Sequence, residues 1–111
     1  MRYQMKSAIG SSEWLGILEE LRALHLKKSS DYGSNESAFA NVEASALCGV
    51  EPWRRALCDA SDCLVRMQAY AVGSKEVDTD NALLDLANWA MICLVQLRRE
   101  ENKCRASHTP L

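Results

Sequence analysis

The stretch "ALLDLANWAMICLVQL", Ala82 to Leu97, decides how this 111-residue chain must fold. Thirteen of its sixteen residues are apolar, and on a helix they fall on every side. A helix that apolar is buried all round, yet this one carries Asp85 and Asn88 near its middle. A buried carboxylate is costly unless it is paired or holds a metal. Leu83, Leu86, Trp89, Ile92 and Leu97 point in different directions, and so short a chain has too little protein to cover them all. A homodimer or homotetramer that buries the second face is the economical expectation.

Working outward, Asp78 or Thr79 can cap this last helix, which is expected to run to about Arg99. Before it, Pro52 suits the first turn of a helix, where the amide it lacks would be unpaired anyway. Trp53, Ala56, Leu57, Ala60, Leu64, Met67 and Ala71 form the stripe of that helix, and Gly73 ends it. A short helix is expected over Glu36 to Leu47, ending at Gly49. Ser11 or Ser12 can cap the first helix, which runs to about Lys27 with Trp14, Ile17, Leu18, Leu21 and Leu24 on one face. No segment alternates as a strand would. The expectation is one all-α domain over residues 1–99, an antiparallel bundle of three to four helices, with a polar, flexible tail over 100–111.

Composition narrows the function classes. Thirteen Lys and Arg against 15 Asp and Glu leave a net charge of −2, which gives no footprint for nucleic acid. The amino terminus lacks an apolar signal run, and Ala82–Leu97 is too short to span a membrane, so a cytoplasmic protein is expected. Five cysteines without a CxxC pair argue against a disulfide framework and a zinc site, and read as reduced, mostly buried small hydrophobes.

Asp85 and Asn88, three apart, share a helix face, as do Asp59 and Asp62, with Arg66 four residues further on. If the two faces meet, their oxygens suit Mg²⁺ or Mn²⁺. Taken alone, each pair also has a plainer reading. Asp59, Asp62 and Arg66 would be a solvated face with an Asp62–Arg66 ion pair, Asp85 would form an internal salt bridge, for instance to an arginine on a neighbouring helix, and Asn88 would be an ordinary buried amide bonded to backbone. In "LKKSSDYGSNESAF", Lys27 and Lys28 can meet phosphates and Tyr32 can stack on a base. The plainer alternative is a lysine-rich helix end followed by a turn. Trp53 reads most simply as core.

"KKSSDYGS", "FANV", "CGVEPW", "ALCDASDCLVRMQ" and "NALLDLANWA" resemble, in that order, a family of small phage-encoded helical proteins. That family is related to the MazG-like all-α nucleoside triphosphate pyrophosphohydrolases and to domains associated with phage nucleotide modification. The resemblance covers about Leu24 to Gln96. It implies an ExxE pair falling on Asp59 and Asp62, and a second pair on Asp85 and Asn88, or on Asn81 and Asp85 in another spacing. Aspartates stand here for the first pair's glutamates, and one of the four ligands is an amide. Phage members carry an arginine and a lysine about the aspartate matching Asp62, where this chain has Asp59 and Cys63.

The function implied is a Mg²⁺-dependent hydrolase that cleaves a nucleotide triphosphate to monophosphate and pyrophosphate in the host cytoplasm. Asp62 and Asp85 would be catalytic. Asp59, Asp62, Asp85 and Asn88 would hold the metal, which activates a water. Lys27, Lys28 and Arg66 would steady phosphates, with Tyr32 and Trp53 against the base. A degenerate relative would bind and sequester a nucleotide instead, and a third possibility is a purely structural helical oligomer.

Overall fold

A computed structural model describes residues 8–32, 37–73 and 76–107, with the side chains of Tyr32 and Ser107 outside that description. Within these residues the protein is all helix. The order is α1 (Ser11–Tyr32), α2 (Ala40–Glu43) continuing into a 3₁₀ turn (Ala44–Cys48), α3 (Pro52–Ala71) and α4 (Thr79–Ser107). The all-α bundle expected from the sequence is the fold observed.

Local chemistry sets most of the boundaries. Pro52 opens α3 after Glu51, which is in extended backbone. Asp78 caps α4, its carboxylate accepting a bond from the Asn81 amide at 3.2 Å. Gly49 ends the 3₁₀ turn in the left-handed region, at φ 78°. Three ends differ from expectation. The short helix expected over Glu36 to Leu47 begins at Ala40 and turns 3₁₀ at Ala44, Glu36 itself lying outside the described residues. Helix α1 continues past Lys27 to Tyr32, and α4 continues past Arg99 to Ser107, so the expected polar tail is helical that far. "REENKCR" lacks glycine and proline, and charged side chains propagate a helix as well as apolar ones do.

Helices α3 and α4 form an antiparallel hairpin that supplies most of the packing. The inner face of α3 is made of small residues, Ala56, Ala60 and Cys63, all buried, and Ala82 of α4 is fully buried. Small side chains let the two backbones approach closely, and the Cys93 thiol reaches the Trp53 carbonyl at 3.3 Å. Leu57 and Leu64, expected in this stripe, lie beside the seam and are exposed. Val42 drops from α2 onto Ala56 and Ile92, with Phe39, Trp89 and Cys93 around them, to make the core.

A polar knot fastens α2 over the second half of α4. The Glu43 carboxylate accepts bonds from the Ser37 hydroxyl and from Arg99 at 3.0 Å, and the Gln96 amide lies 3.5 Å away. The Ser37 bond, then Gln96 and Arg99, hold this carboxyl below its ordinary range, against the opposing effect of partial burial.

Helix α1 is attached more sparingly. Leu21, Leu24 and His25 are half-buried, but Trp14, Ile17 and Leu18 are exposed, so the apolar face read from the sequence is only partly covered by the described residues. The cysteines are also wetter than expected: Cys63 is buried and Cys93 half-buried, whereas Cys48, Cys58 and Cys104 are exposed. No helix among the described residues is long and apolar enough to cross a membrane.

Two glycine substitutions should move stability in opposite directions. Neither Gly16 nor Gly49 has an atom within 4 Å of an added Cβ, so backbone conformation alone decides. In α1, Gly16→Ala should stabilise by roughly 0.5–1 kcal/mol. At its left-handed φ, Gly49→Ala should cost about 1 kcal/mol or more. Thermal unfolding of the two variants checks both signs.

A carboxyl depressed in the folded state adds stability that is complete above its unfolded pKa and lost as pH falls through the folded one. Glu43→Gln should therefore flatten the acid limb of a stability-against-pH curve while changing its shape little above neutrality. Urea midpoints collected from neutral to acidic pH would show it.

Candidate functional site

Asp85 finds its partner on α1. The Lys28 ammonium donates to the Asp85 carboxylate at 3.0 Å, a contact between residues 57 apart in sequence. The aspartate side chain is 14% exposed and the lysine 32%, so the pair is shielded on the acid's side and reachable on the base's. This is the internal salt bridge considered for Asp85, made by a lysine first read as a phosphate ligand.

Beside it opens a cleft of about 240 Å³ between α1, the α2 turn, α3 and α4, lined in part by His25, Lys28, Arg55, Asp59 and Asn88. Arg55 and Asp59 lie one turn apart on α3 and are bonded at 3.2 Å. Asn88 is 3% exposed, and among the described residues the one fully buried side-chain nitrogen or oxygen without a hydrogen bond is the Nε of Arg66, not an atom of Asn88. Asn88 borders the cleft and also a second, apolar groove of about 440 Å³ whose walls include Leu18, Leu21, Met91 and Val95.

The expected site residues therefore divide. Lys28, Asp59 and Asn88 meet at the cleft, with Asp85 held at its edge by Lys28. Asp62 is 78% exposed, and its nearest cation is Arg66 at 4.0 Å, the solvated pair of the plainer reading. Arg66 also donates to the Cys63 sulfur at 3.1 Å, while its Nε is buried without a hydrogen bond. Lys27 is exposed on the outer side of α1. Trp53 is occupied locally, donating its indole N–H to Glu51 at 2.8 Å with the Arg54 guanidinium 4.7 Å from the ring centre. The Tyr32 side chain lies outside the described residues.

Each of the three aspartates read as metal ligands is thus matched by its own cation: Asp85 by Lys28, Asp59 by Arg55 and Asp62 by Arg66. No group of three or more His, Cys, Asp or Glu side chains gathers among the described residues in a way that would hold a metal. Among the lining residues that the sequence reading did not assign to a site are Arg55 and His25. The signal for Arg55 was present, since it precedes Asp59 by one helical turn. His25 had no such signal, because its place depends on packing against Phe39, whose ring centre is 5.7 Å away.

Compared with protein-family models, with curated proteins and with solved structures, the chain matches none. What is established is a small all-α helical bundle with a polar cleft beside an interhelical ion pair.

A double-mutant cycle measures that pair. Lys28→Met strands a shielded carboxylate and should destabilise by about 1–3 kcal/mol, with Asp85→Asn costing somewhat less. The double variant should lose clearly less than the two single losses together. Strictly additive losses by chemical denaturation would mean that the two groups are uncoupled.

Proposed function

We propose that this protein binds a nucleotide in complex with Mg²⁺ in the cleft between α1, α3 and α4. The observation that carries the reading is the placement of Asn88, a buried residue that lines the cleft together with Lys28 and Arg55. An amide can both donate and accept, so a ligand with phosphate or base oxygens would bond to it. Lys28 and Arg55 would meet phosphate, Arg55 through its planar fork.

The lining is balanced rather than basic, because Asp85 and Asp59 accompany the two cations. A ligand that brings both signs with it, a Mg²⁺-chelated di- or triphosphate, fits such a lining better than a bare anion does. Here the metal arrives as part of the ligand. Size supports the same class: the cleft falls short of the roughly 300–1,000 Å³ of ordinary ligand pockets, and the adjoining groove makes up the difference. Phosphates would lie in the polar half and the base would extend toward Leu21, Met91 and Val95. On this reading the protein sequesters its nucleotide.

A second reading is favoured by one feature. Asp59 and Asn88, one member of each implied ligand pair, border the same cleft from α3 and α4, with Asp85 at its edge. On that reading the chain is a phage-encoded MazG-like pyrophosphohydrolase with a resident Mg²⁺ or Mn²⁺, in which Asp62 and Asp85 serve catalysis. It requires the carboxylates to exchange their present cations for metal.

Titration calorimetry with nucleoside and deoxynucleoside di- and triphosphates, with and without Mg²⁺, tests the first reading. Saturable, Mg²⁺-dependent binding is expected, weakened about tenfold or more in Asn88→Leu while helicity is kept. Absence of binding for every nucleotide would retire it. Pyrophosphate release measured in the same mixtures, and its loss in Asp85→Asn, would establish the second.

A further inference from the structure

The described residues leave many large apolar side chains in water, among them Leu83, Met91 and Leu94 of α4.

One helix face gathers several of them. On α4, opposite the seam with α3, Leu83, Ala87, Ala90, Met91 and Leu94 form an exposed ridge at helical spacing. Leu83, Met91 and Leu94 are each about half exposed. Asp80 stands at the first end of the ridge and Arg98 at the other, and neither has an ion-pair partner among the described residues.

The ridge is complementary to itself when reversed. Laid antiparallel against a second copy about a two-fold axis, Leu83 falls opposite Leu94, Ala87 opposite Ala90, and Asp80 opposite Arg98. The alanines at the centre let the two backbones approach, the leucines fill the flanks, and the charges close both ends. A parallel arrangement would set aspartate on aspartate and arginine on arginine. Residue i meeting j while j meets i is the signature of a two-fold interface. Ile17 and Leu21 of α1, which share a groove of about 260 Å³ with Leu83 and Ala87, extend the apolar area at one edge.

We infer that the protein is a homodimer whose interface is the antiparallel pairing of the Leu83–Leu94 ridges of two α4 helices, clasped at each end by Asp80 of one chain and Arg98 of the other. The inference rests on the surface of α4; Met91 also lines the groove proposed for the base, whereas Leu83, Ala87, Ala90 and Leu94 do not.

Sedimentation equilibrium on the full chain and on surface variants tests it. The wild type should be a dimer and Leu94→Glu a monomer of unchanged helicity, while Leu64→Glu on the exposed flank of α3 should leave the dimer intact. Asp80→Arg and Arg98→Asp should each weaken association about tenfold, and the variant carrying both should regain it, since the swapped charges again face each other. Hydrogen exchange on the wild type adds a readout that needs no substitution: protection over residues 83–94 should rise with protein concentration. A wild type that remains monomeric overturns the inference. So does an assembly dispersed by Leu64→Glu but not by Leu94→Glu, or a doubly swapped variant that fails to recover.

Discussion

The close approach of α3 and α4 governs the rest of this structure. Ala56, Ala60 and Cys63 bring one helix against the other with little side-chain bulk between them, and Ala82 answers from α4. With that seam fixed, α4 has one face spent on α3, one turned toward α1 and α2, and one left over. The second face carries Asp85, Asn88 and Ile92, so the cleft exists because the seam decides which residues of α4 point toward Lys28 and Val42. The third face carries the exposed ridge of Leu83, Ala87, Ala90, Met91 and Leu94. Replacing the alanines by larger residues would push α3 outward and dissolve the cleft along with the core, since Ala56 belongs to both hairpin and core.

Ion pairing around the cleft shows how a carboxylate is kept in apolar company. Asp85 sits among leucines and a tryptophan in sequence, and the sequence alone left a metal and a salt bridge as rival explanations. Lys28 supplies the answer within the chain. A lysine that serves a buried acid is not idle for binding, because its ammonium has three donors and the bond to Asp85 uses one. The same holds for Arg55, whose fork has donors beyond the one given to Asp59. The two pairs therefore hold cations in place at the cleft while keeping them neutralised when no ligand is there.

Much of the fold was legible in the sequence because the signals are local. Pro52, Gly49, Gly73 and Asp78 act through their own backbone or the next turn, and each marks an element end where expected. The all-helical class followed from periodicity. What periodicity could not supply was the partner of each stripe. Leu57 and Leu64 have helical spacing with Ala56 and Ala60, yet only the small pair is buried, because the seam selects for closeness rather than apolarity. Helix α1 shows the same limit: its spacing marks an apolar face, but Trp14 and Ile17 are more than half exposed. At the site, the shared faces of Asp59 and Asn88 were readable as i, i+3 pairs, whereas the union of Lys28 with Asp85 spans most of the molecule and could be proposed only in kind. Asp62 was read one way by its likeness to a metal motif and another by its ion pair with Arg66, and its exposure agrees with the pair.

The slender attachment of α1 has a consequence for the order in which the molecule assembles. The α3–α4 hairpin joins neighbours in sequence across a short loop, so its contacts close quickly and need no help from the amino-terminal third. Helix α1 adds few contacts to α4, with Leu21, His25 and Lys28 among the residues that reach it or its neighbours. Such an element docks last and is the first to leave when the molecule breathes, with an opening free energy well below that of global unfolding. Each departure of α1 takes Lys28 from Asp85 and removes one wall of the cleft. The pocket is thus a property of the docked helix, and its lifetime is set by the stability of that docking rather than by the stability of the fold.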